Sequence, residues 1–310
     1  MSAVGADASN EGRADLSGGG GADDTWTVLR LILWSADYLK EKGIESGRLD
    51  AEHLLASVVG VGRLQLYLEF ERPLTREELD GFRPLLKRRA AREPLQYIIG
   101  RQPFRELDLE VGPGVLIPRP ETELLVGKVL EWLEERAVQD AVILDVGTGS
   151  GAISLSIATE GKGTRVTATD VSDAALEMAR RNREAAELSS NVELRKGPLF
   201  EPLTAGERFD VIASNPPYVP EVDEEALEPE VRDWEPHEAL FAGVDGMDVL
   251  RRIASEARGY LKPDGLLALE VGFGQARDVA GLLEATGEFK DVRVLRDYAG
   301  KERFVFAHGA

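Results

Sequence analysis

Ala141-Val142-Ile143-Leu144-Asp145-Val146-Gly147-Thr148-Gly149-Ser150-Gly151 is the stretch whose reading decides the fold. The first six residues are apolar but for Asp145, and the run is short, as in a strand buried on both faces. Three glycines then alternate with small polar residues, and Ala152 to Thr159 resumes as an apolar helical segment. Strand, glycine turn and helix in that order open a parallel α/β unit. The unit repeats downstream. Arg165 to Thr169 reads as a second strand followed by a helix from Ala174 to Ala186. Val192-Glu193-Leu194 is a short third strand and Phe209 to Ser214 a fourth. A helix from Gly246 to Leu261 leads to a fifth strand, Gly265 to Val271. Asp278 to Ala285 is helical, and segments near 290–295 and 302–307 form a closing antiparallel hairpin. The expected class is α/β with a mainly parallel, seven-stranded sheet.

Alone, the glycine loop is equally a tight structural turn; its place between strand and helix makes it a ligand loop. Asp170 ends the next strand, 19 residues beyond Gly151, where a ribose-binding carboxylate is expected. The spacing is G-x-G-x-G, not the G-x-G-x-x-G of nicotinamide enzymes, and Asp145 stands two residues ahead of it. A carboxylate there repels a pyrophosphate and suits a cationic ligand, which favours S-adenosylmethionine over NAD.

The fourth strand runs into Asn215-Pro216-Pro217-Tyr218, just past its carboxyl end, where open parallel sheets bind ligands. Two prolines remove two backbone donors, and Pro216 disfavours helical dihedrals at Asn215. A stiff extended segment results, with the carbonyls of Asn215 and Pro216 lacking an obvious partner. An amide side chain, a free carbonyl and an aromatic face within four residues can grip a flat NH2 group. A proline-rich turn with a structural Asn and a surface Tyr is the competing reading.

The other segments frame this unit. Residues 1–24 are Gly, Ala, Ser and Asp with few large apolar side chains, as in a disordered tail, and carry no signal-peptide pattern. Val28, Leu29, Ile32, Leu33, Ala36 and Leu39 recur at helical spacing, and Asp50 is placed to cap a second helix. Thr75 and Glu78 make a capping box for a third, which contains Pro84. The basic run Lys87 to Arg92 reads first as a solvated helix end. Tyr97 to Gly100 and Leu107 to Val111 read as a strand pair, and a helix runs from Leu124 to about Arg136 with Pro120 suited to a first helical position. The expected domains are a tail at 1–24, a helical bundle at 25–95, a hairpin linker at 96–118 and the α/β domain at 119–310.

Composition narrows the chemistry. The chain has 310 residues and no cysteine, so thiolate nucleophiles and thiolate metal sites are excluded; its three histidines are scattered, and no metal is expected. No apolar run reaches the roughly 20 residues of a membrane span, so neither a membrane partner nor a location outside the cytoplasm is expected. Net charge is −19, and arginines outnumber lysines 28 to nine. Such acidity argues against duplex nucleic acid as a stable partner. Sparse lysine and abundant carboxylate also suit a protein kept hydrated at high salt.

The glycine loop, Asp170 and Asn-Pro-Pro-Tyr together resemble a class I methyltransferase acting on an exocyclic or amide nitrogen. Leu49-Asp50-Ala51-Glu52, Arg92-Glu93-Pro94-Leu95-Gln96-Tyr97-Ile98, Pro118-Arg119-Pro120-Glu121-Thr122-Glu123 and Ala299-Gly300-Lys301-Glu302-Arg303 extend that resemblance to the PrmC/HemK family, from about residue 26 to the end. The resemblance implies a Rossmann-like catalytic domain behind a helical substrate-recognition domain and a hairpin linker. It implies methyl transfer from S-adenosylmethionine to the glutamine amide of the Gly-Gly-Gln loop in class 1 peptide-chain release factors, by a monomer. Cofactor contacts then fall to Gly147, Thr148, Gly149, Ser150, Gly151, Asp170, Leu199 and Asn215. Asn215 and Pro216 would accept the two amide hydrogens and Tyr218 would stack on the amide, with Pro217 completing the substrate site.

Two positions depart from the family pattern. Lys196-Gly197-Pro198-Leu199-Phe200 carries proline where relatives have an acid, leaving Leu199 a packing or backbone contact; Arg105 in the linker carries no evident role. The same tetrad suits an adenine N6 or guanine N2 amine, so a nucleic-acid methyltransferase is the alternative, separated by basic surface and a base-flipping pocket. A cofactor-binding assembly module without turnover is the alternative of another kind. The acidic segment from Glu221 to Gly243 is either a mobile cover over the substrate or a plain surface loop, and His237 within it has no assigned role.

Overall fold

The computed structural model describes residues 25–310; the tail expected at 1–24 lies outside them. The described residues fall into two compact units, one ending at Ile99 and the other running from Gly100 to Ala310.

The first unit is helical: α1 (Val28–Glu41), α2 (Gly47–Val59), α3 (Arg63–Leu68), α4 (Arg76–Ala90) and α5 (Leu95–Ile99). Its core joins Leu31, Ile32 and Leu39 of α1 to Leu54 and Leu55 of α2 and Phe82 of α4. The Thr75 hydroxyl accepts from the Glu78 N–H while the Glu78 carboxylate accepts from the Thr75 N–H, so the capping box forms. Pro84 lies inside α4 on its exposed side, where the carbonyl it orphans can meet water. Two expectations are corrected here. Asp50 does not cap α2, which starts at Gly47. Asp50 is a buried carboxylate in the first turn, paired with Arg89 and accepting from Ser46. Residues 97–99 belong to α5 and not to a strand; the Ile98 N–H donates back to the Pro94 carbonyl. A short apolar run fits either element, and Pro94 opens a helical turn as readily as it closes a strand.

The second unit begins with a hairpin, β1 (Arg101–Phe104) and β2 (Leu107–Glu110), followed by α6 (Pro120–Glu135), with Pro120 in its first turn. At the hairpin turn Arg105 has φ 51°, and its guanidinium grips Glu160 at 2.6 and 2.7 Å. Arg105 thus has a structural task that its sequence context does not announce.

Strand and helix then alternate through β3 (Val142–Val146), α7 (Ala152–Glu160), β4 (Arg165–Asp170), α8 (Asp173–Ala185), β5 (Val192–Lys196) and β6 (Phe209–Ser214). The short helices α9 (Pro229–Arg232) and α10 (His237–Leu240) precede α11 (Asp248–Glu256), β7 (Leu261–Glu270), α12 (Ala276–Thr286), β8 (Phe289–Arg296) and β9 (Glu302–Gly309). The helix expected over 246–261 is confined to α11 and one 3₁₀ turn, because β7 starts four residues earlier than its apolar run.

The sheet order is β5-β4-β3-β6-β7-β9-β8; β3 to β7 are mutually parallel, and β9 enters antiparallel between β7 and β8. Both faces are buried, with a period of two. Ile143, Val211, Ala213, Leu266 and Ala268 face the cluster holding Leu125 and Val129 of α6 and Ile153 and Ile157 of α7. Leu144, Ile212, Leu267 and Leu269 face Leu250 and Ile253 of α11 and Val279 and Leu283 of α12. That double burial is why these strands read as unbroken apolar runs. The chain order reverses between β3 and β6, whose carboxyl ends lie in register at Val146 and Ser214, and ligands bind at such a switch point.

Candidate active site

Two loops leave the sheet at this switch point. The first, Gly147 to Gly151, turns with φ of 76°, 58° and 88° at its glycines. Gly147 and Gly149 turn their Cα faces into open space, since a Cβ built there meets nothing within 4 Å. Gly151, the N-cap of α7, is closed in: a Cβ would lie 2.8 Å from Leu155 Cδ1.

Four of the loop's five backbone donors are committed within the fold. The N–H groups of Gly147 and Thr148 both donate to the Thr169 carbonyl, that of Gly149 to Asp170 Oδ2 at 2.9 Å, and that of Gly151 to the Thr148 carbonyl. A pyrophosphate-binding loop needs such donors free. Their internal use therefore favours a ligand without phosphates.

Asp145 does not face that ligand space. It is fully buried beneath the loop, accepting from Thr148 Oγ1 at 2.6 Å and the Ser154 N–H at 3.1 Å, and burial pushes its carboxyl up to about 6. Contrary to expectation, Asp145 does not greet a cation directly but braces the turn from below. Asp170 does reach the ligand space, and burial raises its carboxyl as well.

A cavity of about 250 Å³ opens over the loop. Of the residues expected to touch a cofactor, Gly147, Thr148, Gly149, Ser150, Asp170, Leu199 and Asn215 line it, and Gly151 does not. Leu199 adopts φ 49°, and its carbonyl accepts from Thr169 Oγ1, so it presents side chain and backbone at the cavity edge. Of the substrate residues, Asn215 and Pro217 line the cavity, whereas Pro216 is buried and Tyr218 sits outside the lining, half-buried.

The second loop is the tetrad. Asn215 Nδ2 donates to Thr122 Oγ1 at 3.0 Å, and Thr122 Oγ1 donates to Glu270 Oε2 at 2.8 Å. No described residue donates to the Asn215 side-chain oxygen, nor to the carbonyls of Asn215 and Pro216. The Tyr218 hydroxyl is 3.4 Å from Glu270 Oε1, and burial raises its phenol. Glu270, which ends β7, is 1% exposed, and burial pushes it up to about 7. Behind the tetrad, Gln275 Nε2 donates to the Tyr218 carbonyl at 2.8 Å while its oxygen accepts from the Gly272 N–H.

Sequence reading missed Glu270, Gln275 and the part played by Thr122. Glu270 left one signal, a carboxylate closing the apolar run Leu266-Leu267-Ala268-Leu269. The Glu221 to Gly243 segment is tied to the second unit at several points. Tyr218 and Val219 donate to the Leu240 carbonyl, and Glu221 to that of Gly243. Buried Glu235 accepts from Arg119 at 2.5 Å and from the Ile117 N–H. His237 is exposed and stacks on Phe241.

Comparison with known proteins points the same way as the geometry. Residues 30–100 match the PrmC N-terminal domain, and residues 122–228 match the methyltransferase small domain. A release factor glutamine methyltransferase of Geobacter sulfurreducens is 45% identical over 282 residues, 91% of this chain and 96% of that protein. One of Rhodopirellula baltica is 38% identical over 285 residues, with 91% and 96% covered. Among solved structures, a T. thermophilus 16S rRNA methyltransferase in complex with AdoMet and guanosine aligns at TM-score 0.50 and 22% identity, over 68% of this chain and 50% of its own, and shares the fold.

Proposed function

The chain belongs to the release factor glutamine methyltransferase family, and from that premise we propose that it methylates the glutamine side-chain amide in the Gly-Gly-Gln loop of class 1 release factors. The observation that carries this reading is the Asn215 carboxamide at the cavity wall: its nitrogen is engaged by Thr122, and no described residue donates to its oxygen.

The loop from Gly147 to Gly151 would hold S-adenosylmethionine, with Asp170 on the ribose hydroxyls and Leu199 against the adenine. Open space over Gly147 and Gly149 and the loop's internally committed donors support that fit. When bound, the cofactor supplies an electrophilic methyl group on a sulfonium.

A glutamine amide nitrogen is a weak nucleophile because its lone pair is shared with the carbonyl. Asn215 Oδ1 and the Pro216 carbonyl would accept its two hydrogens, aim the lone pair and stabilise positive charge as it grows on nitrogen. Tyr218 would stack on the amide plane and exclude water. The surplus proton leaves to solvent, so no dedicated base is required. The helical first unit would recognise the release factor. The enzyme would act as a cytoplasmic monomer without stable nucleic acid.

The test is incubation of the protein with methyl-labelled S-adenosylmethionine and purified release factor, beside a factor lacking the loop glutamine and RNA and DNA controls. Label confined to the intact factor is expected. Label on nucleic acid, or on the factor without its glutamine, overturns the proposal.

A further inference from the structure

Asn215 is useful to an amide substrate in only one of its two orientations. With its oxygen toward the target it accepts an N–H; rotated by half a turn it offers a second donor to a donor. Carbonyl and amino ends are nearly equal in shape, so packing alone does not choose between them. Something must read the difference.

We infer that Thr122 and Glu270 are positioning residues that choose it, fixing the Asn215 carboxamide with its oxygen toward the substrate. The inference rests on the amide-methylating reading above. Above about pH 7 the Glu270 carboxylate is ionised and only accepts, so the single hydroxyl hydrogen of Thr122 is committed to Glu270 Oε2, 2.8 Å away. What the hydroxyl has left is a lone pair. A lone pair 3.0 Å from Asn215 binds its NH2 end and repels its oxygen, so Nδ2 turns in and Oδ1 turns out. Burial hardens the choice: Thr122 is 3% and Glu270 1% exposed, so an unmade hydrogen bond between them is costly.

The three residues come from three elements. Thr122 lies in the first turn of α6, Glu270 at the carboxyl end of β7, and Asn215 just past β6. They converge at the switch point only in the folded chain. Neither Thr122 nor Glu270 needs to touch the substrate amide. Their effect passes entirely through the direction in which Asn215 presents its oxygen.

The test compares Thr122→Val, which keeps the shape and removes the hydroxyl, with Thr122→Ser, which keeps the hydroxyl. Both are assayed at pH 8 on release factor with S-adenosylmethionine. Thr122→Val is expected to lower kcat about 10-fold or more, with the cofactor Kd within about 2-fold, as when an interaction made in the transition state is removed. Thr122→Ser should recover most of that loss. Equal losses in the two variants, wild-type kcat in Thr122→Val, or a loss confined to cofactor binding each overturn the inference.

A readout independent of turnover separates this from a failure of the substrate reading. In protein labelled with ¹⁵N at asparagine, the Asn215 side-chain NH2 should exchange with solvent slowly in wild type and Thr122→Ser. It should exchange much faster in Thr122→Val and in Glu270→Gln, whose own amide can reverse the hydroxyl. Should wild type fail to methylate the factor while these exchange differences hold, the substrate reading falls and the positioning survives. Unchanged exchange in both Thr122→Val and Glu270→Gln removes the positioning whatever the substrate.

Discussion

Arg89 Nε lies 2.7 Å from Asp50 Oδ2, joining α4 to α2 across 39 positions of sequence, with both side chains about 5% exposed. Deleting one member of such a pair leaves the other buried without its counter-charge, and the loss runs at about 3 kcal/mol or more. Asp50→Ala should therefore destabilise the helical unit by that order. Replacing both residues with apolar ones of similar volume, Asp50→Leu with Arg89→Met, should cost far less. Denaturant midpoints of the two variants against wild type decide it; equal losses would show that the pair is not acting as a pair.

Asn215→Ala removes the acceptor oxygen while leaving the loop over Gly147 intact. Turnover should drop on the order of 100-fold or more, the scale for losing one key electrostatic contact at a reacting group. Cofactor affinity, measured by calorimetry, should fall far less, since Asn215 is one of several residues lining the cavity. Near wild-type turnover in a variant that still binds cofactor would take Asn215 out of the chemistry.

The two glycines of the loop that face open space and the buried one separate binding from folding. An alanine at Gly149 must adopt φ 58°, a strain of about 1–2 kcal/mol, but its methyl enters open space over the cavity. Gly149→Ala should weaken cofactor binding with a modest loss of melting temperature. Gly151→Ala adds to similar strain a 2.8 Å approach to Leu155 Cδ1 and should fall chiefly on stability. Melting curves and cofactor titrations on both variants would reveal a reversed order.

Glu270 predicts a pH signature. Its carboxyl is pushed up to about 7 in the folded protein from an ordinary value of 4.5, burial outweighing the help of Thr122, Arg303 and Tyr218 and reinforced by Glu121. The folded state thus holds a proton that the unfolded chain releases. The resulting penalty is absent below pH 4.5, grows as pH rises, and is complete above about 7. At about 1.4 kcal/mol per unit, it amounts to something on the order of 3 kcal/mol. Glu270→Gln lacks it, so its stability relative to wild type should improve between pH 5 and pH 8. A flat difference across that range would mean that Glu270 titrates as an exposed carboxylate does.

Sequence reading reached the scaffold because burial on both sheet faces leaves continuous apolar runs such as Val142 to Leu144 and Leu266 to Leu269. It reached Asn215 and the glycine loop because prolines and glycines are local signals. Residues 97–99 escaped it because three apolar residues carry no period. Asp50 escaped because an acid near a helix start looks like a cap whether it binds its own backbone or a distant arginine. The support behind Asn215 was hidden for a deeper reason. Thr122 and Glu270 lie 148 positions apart, and no local pattern announces a hydrogen bond made across the whole domain.

Because β9 is wedged between β7 and β8, the sheet's far side is held by a strand synthesised after both of its neighbours. On the ribosome, β7 would wait with an open edge and β8 with no strand beside it until residues 302–309 leave the exit tunnel. The methyltransferase unit therefore matures in one late step after its glycine loop has already emerged, and a nascent chain stopped before Glu302 would be a client for chaperones.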